Sequence, residues 1–335
     1  MTKPRGPHLV PPAPAPFGNA PVRVEGTSLD GDWVESLRVD RSAVERRIAT
    51  LGGRRTVKKQ WQAAWLLKAI TLMDLTTLSG EDTDERVRRL CAKARNPVRR
   101  DLLEAMGAQH LPIKAGAVCV YHEMIAPALD ALRGSGIPVA AVSTGFPAGL
   151  APFRTRLLEI EESVAAGAEE IDIVISRRHV LNADWHALYD EVRAFRKACG
   201  PARLKAIIAT GELGNMPKIA KASLVSMMAG ADFIKTSTGM EAVNANLPVS
   251  LVMMRMIREF HQRTGQRVGF KPAGGIAKAK EALAYLVLAK EELGNDWLDP
   301  LFFRFGASRL LGDIERQLEH FVTGRYSAAN RHPIG

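Results

Sequence analysis

The stretch Glu170-Ile-Asp-Ile-Val-Ile-Ser176 decides the fold, because isoleucines alternate along it with other, mostly polar residues. An alternation with a period of two residues predicts a β-strand with two different faces. The three isoleucines share one face, and Glu170, Asp172 and Ser176 share the other. We therefore expect one face to pack against helices while the other, with two carboxylates, points into a protein interior.

Seven further short apolar runs lie on both sides of this stretch. The runs are separated by amphipathic segments such as 156–166, 187–198 and 279–292, which predict helices. Eight strand–helix units in about 250 residues predict an α/β fold, a (β/α)8 TIM barrel, and the longer first gap predicts an extra helix. The predicted strands are 70–74, 117–121, 139–143, 171–176, 204–210, 233–237, 268–272 and 303–306.

Composition divides the rest of the chain. The N-terminal residues are dense in proline, which removes backbone donors and prevents helix, so we expect a disordered tail there. Apolar residues at helical spacing then predict two helices, at 33–50 and 57–69, with a break at Gly52-Gly53. The predicted organisation is a tail at 1–30, an N-terminal helical extension at 31–69, the barrel at 70–322 and a C-terminal tail at 323–335.

The overall composition is that of a globular protein, with 46% hydrophobic and 24% charged residues among 335. No apolar stretch approaches the roughly 20 residues of a membrane span, and the N-terminus lacks the order of a signal peptide. Three widely spaced cysteines without a Cys-x-x-Cys pair indicate neither a disulfide framework nor a thiolate zinc site. We expect a cytoplasmic protein without a membrane partner.

The net charge of +10 suggests an anionic partner. The basic residues form short, dispersed clusters without interleaved aromatic residues, which favours a solvated surface or an anionic small-molecule substrate over nucleic acid. A homo-oligomer is left open, because sequence does not distinguish helix faces that cover the barrel from faces that contact another subunit.

Two lysines on neighbouring predicted strands point into the barrel by the same alternation, Lys235 and Lys271. Like charge and burial both disfavour the protonated amine, and a neutral lysine is a nucleophile for carbonyl groups. Asp172 is their expected partner, either structurally or as an acid–base group. Pairing of each lysine with a carboxylate for stability alone is the alternative, and we expect such a purely structural pair for Glu170 and Lys205.

Glycines follow the last predicted strands and allow close approach of a ligand to the backbone. TIM barrels commonly bind phosphate after strands seven and eight, where Gly274, Gly275 and Gly306 fall. Gly239 and Ser308 complete the predicted anion site, with Ser308 or a neighbour capping the following helix.

These motifs resemble those of the deoxyribose-phosphate aldolase family. The resemblance runs from about residue 57 to about 318, and the extended N-terminal segment is similar to the longer, animal-type members. The motifs that carry it are Phe233-Ile-Lys-Thr-Ser-Thr-Gly239, Gly269-Phe-Lys-Pro-Ala-Gly-Gly275, Glu170-Ile-Asp-Ile-Val174, Leu204-Lys-Ala-Ile-Ile-Ala-Thr-Gly-Glu-Leu213, Phe305-Gly-Ala-Ser308, Asp74-Leu-Thr-Thr-Leu78 and Val118-Cys-Val-Tyr121.

The resemblance implies a class I aldolase that reversibly cleaves 2-deoxy-D-ribose 5-phosphate to D-glyceraldehyde 3-phosphate and acetaldehyde, with no metal or cofactor, in deoxyribonucleotide and carbohydrate catabolism. By the same resemblance, Lys235 forms the Schiff base, Lys271 perturbs its pKa and Asp172 transfers protons through a water. Thr76 and Cys119 line the substrate region, Cys119 as a pocket wall and not as a nucleophile.

Two positions depart from the family pattern. Met240 stands where the family has a lysine that assists phosphate binding, and Arg309 stands where a small hydroxyl residue is usual. One hypothesis is that Arg309 compensates the charge of the substrate phosphate; the other is that it points outward and phosphate binding is weaker. The alternatives to the main prediction are therefore an aldolase with altered phosphate or acceptor specificity, and a catalytically idle barrel that binds polyanions.

The C-terminal segment also differs from the family. Several members cover the site with a flexible tail that ends in tyrosine, but Tyr326 is not terminal in this chain. We therefore do not assign that role to Tyr326.

Overall fold

The computed structural model describes residues 23–332, and an eight-stranded parallel β-barrel lies at its centre. Hydrogen-bonded pairs join the strands in the order β7-β6-β5-β4-β3-β2-β1-β8, and parallel bridges from Phe270 to Phe303 and from Ala273 to Gly306 close the ring. The predicted TIM barrel is confirmed. The strands are β1 Met73–Thr76, β2 Ala117–Val120, β3 Val139–Ser143, β4 Glu170–Val174, β5 Arg203–Ile207, β6 Phe233–Lys235, β7 Gly269–Lys271 and β8 Phe305–Ala307.

Helices surround the barrel and bury the outward faces of the strands. The predicted helices at 156–166, 187–198 and 279–292 correspond to α8, α10 and α13, and the long first gap holds α5 and α6. Within the described residues the α-helices are α1 Gly31–Ser36, α2 Arg41–Ala49, α3 Leu51–Arg54, α4 Lys59–Thr71, α5 Asp84–Arg95, α6 Arg100–Ala105, α7 Ile125–Leu132, α8 Phe153–Ala165, α9 Arg177–Leu181, α10 Trp185–Ala198, α11 Met216–Met228, α12 Leu247–Thr264, α13 Ala279–Leu293 and α14 Leu310–Thr323.

β3 has the predicted bounds, and the other strands are shorter than predicted. Two boundaries change the interpretation of particular residues. Ile70 belongs to α4 and not to β1, because a buried helix runs directly into a buried strand and apolar periodicity does not separate them. β4 ends at Val174, so Ser176 leaves the alternation. Its hydroxyl donates to Glu191 of α10 at 2.5 Å, and the prediction that Ser176 points into the barrel is wrong.

The N-terminal extension contains more helices than predicted. The expected helix at 33–50 is two helices, because the Asp40 carboxylate accepts from the backbone N–H of Ala43 and starts α2 there. The two glycines expected to separate the helices lie inside α3 instead. Trp33 of α1 stacks on Phe260 of α12 with ring centroids 6.3 Å apart, which attaches the extension to the barrel's helical layer.

Residues 23–30 precede α1 and pack against the barrel. Val24 is buried, and its backbone N–H donates to Asp232 Oδ1 at 3.0 Å. The N–H of Thr27 donates to the carbonyl of Met228 at 2.8 Å. The prediction of a disordered tail is therefore wrong for residues 23–30, and its remainder, residues 1–22, lies outside the described residues.

The C-terminal segment turns back after α14. Gly324 ends the helix with φ of 72°, and His332 Nε2 then lies 2.6 Å from Glu319 Oε2. Because α14 follows β8 and runs back toward the N-terminal ends of the strands, this contact lies away from the C-terminal mouth of the barrel. Tyr326 stacks on His320 and is 71% exposed, so it covers nothing at that mouth.

No helix within residues 23–332 is both long and apolar enough to cross a membrane.

Candidate active site

A network of buried charged side chains fills the barrel from its N-terminal end to its C-terminal mouth. Ion pairs link three acids to four bases, and the strand alternation predicted for β4, β6 and β7 directs their side chains inward. At the mouth, Lys235 and Lys271 are register partners at the last positions of β6 and β7. The members are Asp74, Glu170, Asp172, Lys205, Lys235, Lys271 and Arg304.

Asp172 is the centre of this network. Its Oδ1 lies 2.8 Å from Lys205 Nζ, and its Oδ2 lies 2.8 Å from both Lys235 Nζ and Lys271 Nζ. Burial alone would raise the pKa of this carboxyl, but the neighbouring Lys205, Lys235 and Lys271 hold its pKa well below the usual range. Asp172 is therefore a carboxylate that accepts three hydrogen bonds, and the structure brings the three predicted catalytic residues together.

Lys235 has the fewest carboxylate partners of the three lysines. Burial and the neighbouring ammonium of Lys271 lower the pKa of Lys235, against the opposing attraction of Asp172. Lys271 contacts both Asp74 and Asp172, which raise its pKa although burial opposes them. The two lysines at the mouth therefore differ in protonation tendency, with Lys235 closer to the neutral amine.

The charge count gives the same result. Three carboxylates balance three cations, and Lys205, Lys271 and Arg304 each contact at least two of them. Lys235 is the fourth base and contacts Asp172 alone. An uncompensated buried charge is costly, so the network favours a neutral Lys235.

An apolar wall faces the mouth on the side of β2 and β3. Cys119 is fully buried with Ala140 and Val142, and Tyr121 and Phe146 pack against them. The Phe146 ring centroid lies 5.9 Å from Lys235 Nζ. Burial raises the pKa of the Cys119 thiol, which keeps it protonated and suits a pocket wall.

Thr76 is the register partner of Cys119 and is half-buried. Its hydroxyl donates to the backbone carbonyl of Asp74 at 2.8 Å, and its register with Cys119 places it beside the apolar wall at the end of β1.

The predicted anion site is only partly available. Gly239 and Gly274 are adjacent, since a Cβ built on Gly239 would lie 3.8 Å from Gly274 Cα. The Gly239 N–H, however, already donates to Glu241 Oε2 at 3.1 Å. Within the described part of the chain the N–H groups of Gly274 and Gly275 donate to no protein group, so they are available to an anion.

Gly306 lies beside the aliphatic part of the Lys271 side chain. A Cβ on Gly306 would lie 2.7 Å from Ala273 Cβ and 3.2 Å from Lys271 Cε, so a side chain here would displace the lysine. Ser308 and Arg309 are exposed between β8 and α14. Ser308 does not cap α14, because Arg309 occupies the N-cap position and no side chain caps that helix. Met240 is 55% exposed.

The sequence predicted one ion pair of the charged network but did not predict two of its members. The Glu170–Lys205 pair is present at 2.6 Å. Arg304 and Asp74 were missed as partners, although Asp74 is the one acidic residue of the first apolar run. Arg304 lies just before β8, and only closure of the ring brings it to Asp74 and Glu170.

The fold and this site define a (β/α)8 barrel enzyme with a lysine-centred polar cluster at its C-terminal mouth. A model described as the DeoC/LacD family aldolase matches residues 68–313, and the chain belongs to this family of aldolases. The family expected from the sequence is confirmed.

Relatives of high identity agree with this family. The deoxyribose-phosphate aldolase of Mus musculus is 58% identical over 311 residues, which cover 92% of this chain and 98% of the relative. That of Homo sapiens is 57% identical over the same length, with the same coverage. A solved structure, the deoxyribose phosphate aldolase from Aeropyrum pernix, whose title calls it tetrameric, matches the fold with a TM-score of 0.58 at 22% identity, covering 84% of this chain and 99% of that one.

Proposed function

We propose that this chain is a deoxyribose-phosphate aldolase that cleaves 2-deoxy-D-ribose 5-phosphate reversibly to D-glyceraldehyde 3-phosphate and acetaldehyde through a Schiff base on Lys235. The observation that carries the proposal is the position of Lys235 at the mouth, as the base with a single carboxylate contact in an otherwise balanced network. The name shared by the mammalian relatives supports the substrate. The same proposal places the protein in the cytoplasm, in deoxyribonucleotide and carbohydrate catabolism.

The first half of the reaction uses the neutral amine. Lys235 Nζ attacks the C1 aldehyde carbon of the open-chain sugar, and the oxygen takes up a proton to give a carbinolamine. Asp172 and the ammonium of Lys271 lie beside the nitrogen and exchange protons as water leaves. The product is a protonated imine, which withdraws electrons from the bond between C2 and C3.

Cleavage follows when the C3 hydroxyl loses its proton to Asp172, through a water. The C3 oxygen becomes the aldehyde of glyceraldehyde 3-phosphate, and the electrons of the C2–C3 bond form an enamine on Lys235. The enamine carbon then takes up a proton, and water hydrolyses the resulting imine to acetaldehyde and the free amine. The apolar wall of Cys119, Val142 and Phe146 suits the two-carbon fragment.

The phosphate is proposed to bind at the N–H groups of Gly274 and Gly275, to which residues 23–332 offer no acceptor. Arg309 is exposed at the start of α14 and supplies a cation near that end. Gly239 contributes the backbone surface next to Gly274 but not its N–H.

Trapping with borohydride tests the Schiff base. Incubation with acetaldehyde and borohydride should add a two-carbon adduct to one lysine, and peptide mass mapping should place it on Lys235 because the pKa of this amine is lowered. Lys271 serves as the internal control, since its ammonium is held by two carboxylates. A protein without any adduct would contradict the proposal and favour a non-catalytic, polyanion-binding barrel.

Arg309→Ala tests the phosphate end. We expect kcat/KM for deoxyribose 5-phosphate to fall by about tenfold, while kcat/KM for unphosphorylated deoxyribose changes little, because the guanidinium acts on the phosphate charge. Steady-state kinetics on both sugars measure the ratio. An equal loss on both substrates would contradict a role of Arg309 in phosphate binding without contradicting the proposed aldolase reaction.

A further inference from the structure

The guanidinium of Arg177 joins loops on three sides of the C-terminal mouth. Arg177 begins α9 after β4, and its side chain is 16% exposed. Its Nη1 donates to the carbonyl of Ala148 at 2.6 Å, and its Nη2 donates to the carbonyl of Pro147 at 3.1 Å. Its Nε forms an ion pair with Glu212, which follows β5. One side chain therefore connects the loops after β3, β4 and β5.

Glu241 extends this connection to the loop after β6. Its side chain is 2% exposed, and Oε1 lies 3.9 Å from Arg177 Nη2. The carboxylate accepts from the backbone N–H of Thr238 at 3.0 Å, from the Thr238 hydroxyl at 2.7 Å and from the N–H of Gly239 at 3.1 Å. A buried carboxylate needs such donors and a nearby cation, and Arg177 is that cation.

Both ends of the connection reach the surroundings of Lys235. Phe146 directly precedes Pro147, and its ring forms the wall 5.9 Å from the Lys235 amine. On the other side, Thr238 lies three residues after Lys235, and Gly239 is adjacent to Gly274 of the proposed phosphate site.

We propose that Arg177 is a positioning residue of the aldolase reaction: it holds the Phe146 wall and the Thr238–Gly239 backbone on opposite sides of Lys235. It contacts neither Lys235 nor Asp172, so it acts through these loops. The inference rests on the proposed function, because the loops position the substrate of that reaction. A displacement of about 1 Å at such a distance from the chemistry can reduce turnover by about 100-fold.

Arg177→Gln is compared with Arg178→Gln, which removes the neighbouring charge. Arg178 is exposed, and the structure gives its side chain no ion pair within residues 23–332. We expect kcat/KM for deoxyribose 5-phosphate to fall by about 10- to 100-fold in Arg177→Gln and by less than about twofold in Arg178→Gln. Arg177→Lys should recover only part of the activity, because one ammonium does not reach both carbonyls and both carboxylates.

Glu241→Gln distinguishes the effect on the Thr238–Gly239 backbone from the effect on the Phe146 wall. It also keeps the inference testable if Arg177→Gln does not fold. It loosens only the loop after β6, so KM for the phosphorylated sugar should rise while the yield of acetaldehyde adduct on Lys235 stays normal. Arg177→Gln should raise this KM as well and should also lower the adduct yield, because it releases Phe146. A lower melting temperature with unchanged kinetics, or equal effects of the Arg177 and Arg178 variants, would overturn the inference. If the wild-type enzyme does not cleave the sugar, the proposed function is rejected instead. The yield of acetaldehyde adduct on Lys235 in Arg177→Gln would then still test whether Arg177 positions the Phe146 wall.

Discussion

Lys235→Met is expected to reduce kcat/KM for sugar cleavage by about 10⁴-fold or more, because it removes the amine that forms the imine. Most deletions of a buried charge destabilise a protein, but we expect Lys235→Met not to do so. The three remaining bases match the three carboxylates of the network, and a methionine suits a position that faces the Phe146 ring. We therefore expect the unfolding free energy of the variant to equal or exceed that of the wild type.

The pH dependence of that comparison follows from the lowered pKa of Lys235. Between the folded pKa and the ordinary lysine value of about 10.4, the unfolded chain binds a proton that the folded protein does not. The stability of the wild type therefore rises with pH through this window, and the cost of Lys235 is fully present below its folded pKa. Chemical denaturation at several pH values measures this. The unfolding free energy of Lys235→Met should exceed that of the wild type most at low pH, and the difference should disappear toward a pH of about 10.

Lys271→Met is the matched control, since it removes the other lysine at the mouth. The network then has three carboxylates and only two other fixed cations, so Lys235 should take up a proton and its pKa should rise. Borohydride trapping across pH should show the adduct on Lys235 appearing at higher pH than in the wild type. An unchanged profile would contradict the assignment of Lys271 as the group that perturbs Lys235.

Alternation along single strands was sufficient to predict the centre of the site. Asp172, Lys235 and Lys271 lie on β4, β6 and β7 of a parallel sheet, so side-chain direction and strand order bring them together without further information. The Glu170–Lys205 pair follows from the same rule, since β4 and β5 are adjacent.

The parts that sequence did not predict depend on contacts between distant segments. Arg304 is 230 positions from Asp74 and joins it only because β8 pairs with β1. The Gly239 N–H is occupied because Glu241 folds back on its own loop, which no periodicity reports. The start of α2 at Asp40 depends on a capping bond inside a segment whose apolar spacing looks continuous.

Asp172→Asn is expected to destabilise the protein strongly and to reduce turnover. The carboxylate accepts hydrogen bonds from Lys205, Lys235 and Lys271 at 2.8 Å each, and the amide removes its charge and turns a donor toward these amines. Removing one partner from a buried ionic network costs about 3–5 kcal/mol. Loss of a positioned proton-transfer group lowers kcat by a further factor of about 10²–10⁴.

Asp190→Asn is the control, because Asp190 is exposed and its loss should change the unfolding free energy by less than about 0.5 kcal/mol.

The pH dependence separates this effect from a general loss of packing. Because the folded pKa of Asp172 lies well below its unfolded value of about 3.9, its contribution to stability is fully present above that value. The contribution is lost progressively as the pH falls from the unfolded toward the folded pKa. The difference in unfolding free energy between wild type and Asp172→Asn should therefore shrink as the pH falls below about 4. A difference below about 1 kcal/mol at neutral pH would contradict Asp172 as the anion that Lys205 and Lys271 share.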